Sequence, residues 1–90
     1  DGPLLIAVDG KVYNCWKGRH FYLPGAEYAI FAGRDATRLL ARSLLEEESE
    51  EAAARPLTTA EKAALTAWIW TFEAKYEIVG TYAPDAQARP

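Results

Sequence analysis

The 90-residue chain has no methionine, one cysteine and one histidine. Each shortage closes a line of chemistry. Cys15 finds no second thiol in the chain, so an internal disulfide is excluded, and a lone thiol fits oxidising and reducing compartments alike. With His20 as the only imidazole, a two-histidine metal site is ruled out, as is a zinc cluster of repeated Cys-x-x-Cys type. Long apolar runs are also missing: none approaches the roughly 18 to 20 residues that span a bilayer, and no signal-peptide pattern opens the chain. A soluble chain is expected. The missing initiator implies a processed product or an excised domain, with any anchor outside these residues. A Gly-rich phosphate loop and a Gly-x-Ser-x-Gly nucleophile elbow are absent too.

Apolar residues make up half of the chain and aromatic ones 12%. That is enough for one domain that buries roughly 60 to 70% of its unfolded surface and for an aromatic wall around a flat apolar ligand. The net charge is −3, yet Glu46, Glu47, Glu48, Glu50 and Glu51 alone supply −5, so the remainder sums to +2. This run reads as a solvated, mobile loop or frayed helix, with a docking surface for a basic partner as the lesser alternative. Lys11, Lys17, Arg19, Arg34, Arg38 and Arg42 fall in the first half, where an anionic ligand group can be met. Nucleic-acid binding does not suit this balance.

Leu4 to Val8 and Lys11 to Tyr13 read as two strands around an Asp9-Gly10 hairpin turn. Pro24-Gly25 punctuates a loop, followed by a short helix from about Ala26 to Phe31 that Gly33 ends. Asp35 is the expected N-cap of a helix to about Leu45, with Ala36, Leu39, Leu40 and Leu44 on one face. Thr58-Thr59-Ala60-Glu61 matches a capping box, and Leu65, Trp68, Ile69 and Phe72 follow at helical spacing as a core stripe, leaving Trp70 partly exposed. Lys75 to Gly80 returns to an extended pattern. Residues 1–82 are expected to form the domain and 83–90 a loose polar tail.

Gly18-Arg19-His20-Phe21-Tyr22, Pro24-Gly25-Ala26-Glu27-Tyr28, Phe31-Ala32-Gly33-Arg34-Asp35-Ala36-Thr37-Arg38 and Lys75-Tyr76-Glu77-Ile78-Val79-Gly80 occur in an order that resembles the membrane-associated progesterone receptor family, a branch of the cytochrome b5-like haem/steroid-binding domains, and within it the neuferricin type. The resemblance implies an α+β cytochrome b5-like fold, in which a small mixed sheet and short helices form a ligand pocket. The parent pattern places a histidine directly before Pro-Gly-Gly and a second one elsewhere. Here Leu23 precedes Pro24, His20 lies three residues earlier, and no second imidazole exists. Bis-histidine and His/Met ligation are therefore excluded, and Cys15-Trp16-Lys17-Gly18 lacks the second cysteine and the histidine for covalent attachment.

By resemblance, Tyr28 is the axial ligand of non-covalent ferric haem b, Tyr22 and Lys75 are partners of propionate or nearby polar groups, Tyr76 lines the pocket and Asp35 supports the motif. A non-catalytic, five-coordinate module is implied, one that regulates or assists partner proteins such as haem-thiolate monooxygenases, with endoplasmic-reticulum membrane association or secretion, and with a haem-mediated dimer among its arrangements. On residue chemistry alone, Tyr28 reads more readily as a half-buried core tyrosine, and Tyr22, Lys75 and Tyr76 read equally well as structural. Glu27 stands where relatives often carry proline or histidine, and Asn14-Cys15 replaces Asp-Val. A carboxylate beside Tyr28 opposes phenolate formation if it faces the same site, although adjacent residues usually point apart. A haem-free protein-interaction or steroid- or lipid-binding module on the same scaffold is the competing reading. His20 reads as an exposed loop residue and Cys15 as an inert thiol rather than a ligand.

Overall fold

Asp9 and Gly10 both take positive φ, 51° and 84°, in the computed structural model, which describes residues 3–82. This is the backbone that a two-residue hairpin of native twist requires. It joins strand β1 (Leu5–Val8) to β2 (Lys11–Asn14) in antiparallel register, with Val8 opposite Lys11 and Leu5 opposite Asn14. β3 (Glu77–Thr81) pairs with the far side of β2, also antiparallel, with an irregularity between Val12 and Tyr13. The parallel component of the sheet is a bridge from Ala7 to Asp35 on the free edge of β1. Its hydrogen bonds run from Gly33 N to Leu5 O (2.7 Å), Ala7 N to Arg34 O (3.0 Å) and Ala36 N to Ala7 O (2.8 Å).

After β2 the chain makes a 3-10 turn at Trp16–Gly18 and a single helical turn, α1 (Arg19–Tyr22). The helix expected over Ala26 to Phe31 is shorter: only Ala29–Phe31 forms, as a 3-10 turn. The reason is local. Gly25 (φ 90°) closes a Leu23-Pro24-Gly25-Ala26 turn, and Tyr28 N is drawn back to Phe21 O (2.9 Å) instead of into a helical ladder.

Helix α2 (Thr37–Arg42) also falls short of its expected span. Ala36 is its N-cap by backbone geometry, while Asp35 Oδ1 accepts from Thr37 N (3.1 Å) and Thr37 Oγ1 (2.5 Å). Ser43 takes the left-handed conformation (φ 56°), and its N–H and that of Leu44 return to Leu40 and Leu39 carbonyls, which stops the helix before the glutamates. Those glutamates are not a simple solvated loop. Ser49 caps a one-turn helix, α3 (Glu50–Ala53), and Glu47 and Glu48 are held by arginines of the preceding segment.

The capping box forms as expected, with Thr58 Oγ1 accepting from Glu61 N (3.1 Å) and Glu61 Oε1 from Thr58 N (2.9 Å). It opens α4 (Thr59–Lys75), which packs on α2. Since α4 runs through Lys75, β3 begins two residues later than expected. The core lies between the sheet and these two helices: Ile6, Val8, Tyr13, Leu39, Leu40 and Phe72 are almost wholly buried, with Tyr13 edge-on to Phe72 at 5.4 Å. The proposed tail, 83–90, lies outside the described residues.

Candidate functional site

The Pro24-Gly25 turn brings Tyr28 back beside α1. The bond from Tyr28 N to Phe21 O fixes that return, and the phenol ring then stacks on buried Phe31 at 5.6 Å and 17°. Tyr28 is half-buried. It lines a cleft of about 250 Å³ with Glu27, Phe31, Leu39, Leu40 and Trp68.

From Tyr28 a line of aromatic rings continues inward. Tyr22 lies 6.4 Å from Tyr28 and 6.4 Å from Tyr76, and Tyr76 meets Phe72 edge-on at 5.4 Å. Tyr22 and Tyr76 are both buried. Burial, reinforced by the hydrogen-bonding contact with Tyr76, pushes the Tyr22 phenol well above its ordinary range. Tyr22 is therefore a neutral phenol at physiological pH, suited to hydrogen bonding and not to ligating a metal as phenolate. The Tyr76 hydroxyl sits against Gly18, where a Cβ would come within 2.2 Å of it.

Lys75 is exposed at the end of α4 and lines a second cleft of about 270 Å³, with Lys17, Gly18, His20, Phe21 and Tyr76. Three of the four expected site residues, Tyr22, Tyr28 and Tyr76, thus form one aromatic run, and Lys75 stands at its far end. His20 is exposed, its ring 4.1 Å from that of Phe21, and it lines the second cleft and not that of Tyr28. Asp35 supports the motif through Thr37, whose Oγ1 also accepts from Asp9 N (2.8 Å).

Three findings differ from the sequence reading. Glu27 lines the same cleft as Tyr28, because residues 26–28 form a turn and side-chain alternation does not apply there. Trp68, read as core, is half-buried and forms part of the cleft wall. Three of the four arginines offered for an anionic ligand are engaged by acids: Arg34 pairs with Glu47, Arg38 with Glu48 (2.9 Å), and Arg42 with Glu48 (2.5 Å) and Glu61 (3.3 Å), while Arg19 donates to Trp16 O (3.1 Å) and lies over the Trp16 ring.

Phe31 and Phe21 are further lining residues that the sequence reading did not place in the site, and their only signal is position inside the motif; Lys17, in the second cleft, is one of the basic residues named for an anionic group. Cys15 is fully buried, and loss of solvent pushes its thiol up to about 12. No cluster of three His, Cys, Asp or Glu side chains that could hold a metal ion occurs among the described residues.

The architecture is thus a three-stranded sheet with a parallel bridge, backed by short helices and with a tyrosine-lined cleft beside the Pro-Gly turn. The family model described as "Cytochrome b5-like Heme/Steroid binding domain" matches residues 1–81. The chain belongs to that family and, within it, to the branch of the membrane steroid-binding proteins and membrane-associated progesterone receptor components.

It is 42% identical over 79 residues to "Membrane steroid-binding protein 2" of Oryza sativa subsp. japonica, across 88% of this chain and 30% of that one. It is 39% identical over 80 residues to "Membrane-associated progesterone receptor component 2" of Homo sapiens, across 86% of this chain and 36% of that one. A solved structure of a hypothetical Arabidopsis thaliana protein with "a cytochrome b5 like fold" superposes with a TM-score of 0.75 at 37% identity, over 90% of this chain and 74% of that one. The chain spans about a third of the length of the two curated relatives.

Proposed function

We propose that this domain is a non-catalytic haem-binding module in which the Tyr28 phenolate is the axial ligand of five-coordinate ferric iron. One observation carries the reading: of the three tyrosines in the aromatic run, Tyr28 is the half-buried one and lines an apolar cleft, while Tyr22 and Tyr76 are buried. The donor set fits the group. A hard phenolate oxygen suits ferric iron, the cleft wall of Phe31, Leu39, Leu40 and Trp68 suits a flat apolar macrocycle, and Tyr22 and Lys75 supply a neutral donor and a cation for its carboxylates. When bound, the group would supply a ferric centre of lowered reduction potential, unsuited to routine electron shuttling.

In this reading the protein positions and displays haem for partner proteins, such as haem-thiolate monooxygenases, and the iron face opposite Tyr28 stays open to a weak ligand or to a second copy. Membrane association and the neuferricin-type assignment belong to the same reading. No helix of the described residues is long and apolar enough to cross a membrane, so an anchor would have to lie elsewhere.

The test is haemin titration followed by absorption. Wild-type protein should bind saturably with high-spin ferric bands, and Tyr28→Phe should lose those bands and at least tenfold in affinity, about 1.4 kcal/mol. Equal binding by both proteins would overturn Tyr28 as ligand. The sharing of one cleft by Glu27 and Tyr28 favours a second reading, a haem-free module that takes a steroid, a lipid or a partner protein, because a carboxylate there repels a phenolate. The relatives named for steroid binding point the same way. Absence of saturable haemin binding by the wild type would establish that alternative over the first.

A further inference from the structure

The second cleft carries Lys17, His20 and Lys75, and no carboxylate lines it. That is unusual for this chain, which holds 13 acidic residues against 10 Lys and Arg. Four other basic side chains are matched by acids: Lys11 pairs with Glu73 (3.2 Å), and Arg34, Arg38 and Arg42 with Glu47, Glu48 and Glu61. Neither Lys17 nor Lys75 takes part in an ion pair among the described residues. The two lysines come from different elements, Lys17 from the turn before α1 and Lys75 from the last position of α4, so the fold itself brings them to one cleft.

The floor of that cleft is aromatic and continuous with the Tyr28 site. Phe21 lines it and lies 6.3 Å from the Tyr28 ring, and Tyr76 lines it and reaches Tyr28 through Tyr22. At the other end, Glu27 places a negative charge in the Tyr28 cleft. An apolar plate with carboxylates on one edge is repelled from the Glu27 end and attracted at the lysine end.

Resting on the haem reading above, we propose that Lys17, assisted by His20, is a second cationic arm that binds the propionate carboxylates and fixes which edge of the macrocycle faces this cleft. Lys17 is exposed, and its side chain makes no hydrogen bond or ion pair among the described residues, so Lys17→Gln removes the charge without removing a contact seen there. The interaction is solvent-facing, so its size is that of an exposed charge pair, a few-fold in affinity, and it weakens with salt.

The experiment compares haemin with haemin dimethyl ester, whose carboxylates are masked, on wild-type protein, Lys17→Gln and Lys17→Arg. Lys17→Gln should weaken haemin about threefold to fivefold at low salt, leave the ester unchanged and keep the ferric absorption bands, while Lys17→Arg should retain wild-type affinity. Unchanged haemin affinity in Lys17→Gln, or equal weakening toward acid and ester, overturns the proposal while leaving Tyr28 ligation standing. Failure of wild-type protein to bind either form overturns the haem reading and this inference together.

Discussion

Burial separates side chains of the same chemistry into different roles. Tyr22, enclosed by Tyr28, Tyr76 and Phe21, keeps its proton, whereas Tyr28 meets solvent at a cleft mouth. Cys15 follows the same physics: its thiol has no solvent and only a long contact to Tyr13 O (3.8 Å). Its folded value of about 12 lies above the ordinary 9.0. The unfolded chain therefore loses this proton first as pH rises. The stabilisation is fully present below the ordinary value and is lost toward the folded one. Urea melts should show stability falling between about pH 9 and 12, with a smaller fall in Cys15→Ala. Because buried Tyr13 and Tyr22 are also raised, part of the alkaline loss should persist in that variant. An alkaline slope identical in both proteins would show that the thiol contributes nothing.

Residue identities at the site were legible because the Tyr22 to Arg38 motif is ordered and dense. Side-chain direction was not. Glu27 sits in a turn, where strand alternation gives no guidance, and Trp68 lies at the edge of a helical stripe, where spacing alone does not tell core from cleft wall.

Gly18 shows how two elements are locked together. It is the N-cap of α1, and its backbone (φ −102°, ψ 23°) is open to any residue. Space is what excludes a side chain, since an added Cβ would lie 2.2 Å from the Tyr76 hydroxyl, 3.1 Å from its Cζ and 3.3 Å from Cε1. Gly18→Ala should therefore destabilise the fold by roughly 1 to 3 kcal/mol, the usual cost of overpacking. Tyr76→Phe removes the worst of the clash, so the double variant should be more stable than additivity predicts, by about 1 kcal/mol in a urea-melt cycle. Strict additivity would mean that Tyr76 does not rest on Gly18.

Elements with strong local signals were readable: the Asp9-Gly10 hairpin and the Thr58 capping box each satisfy their own backbone. Ala26 to Phe31 was misjudged because a tertiary bond, Tyr28 N to Phe21 O, competes with the helical one. The acidic stretch is loop and one helical turn, as its composition implies, but the pairing of Glu47 and Glu48 was not legible, since their partners lie in a different segment.

Across the molecule, that stretch is fastened to α2 and α4 by one carboxylate above all. The Glu48 side chain is 7% exposed, accepts from Arg38 Nε and Nη2 at 2.9 and 3.1 Å, and also meets Arg42, which continues to Glu61. Its carboxyl is held below the usual range, chiefly by Arg38 and against the cost of burial. A depressed folded value means that the stabilisation is present above the ordinary range and is lost as pH falls through the folded one. Glu48→Gln should melt about 5 °C below wild type at pH 7, with the two curves converging below about pH 4. Equal melting temperatures at pH 7 would show that the network adds nothing.

The outer strand has a different consequence. Every residue of β3 is exposed, and the strand follows directly on Tyr76 and Lys75. Fraying of so thinly covered an edge frees the end of α4, and a cleft that depends on that end opens with it. On the proposal that the lysines hold carboxylates, occupancy and edge closure would be two sides of one equilibrium: a tenant bound between Lys17 and Lys75 would act as a latch on a strand that it never touches.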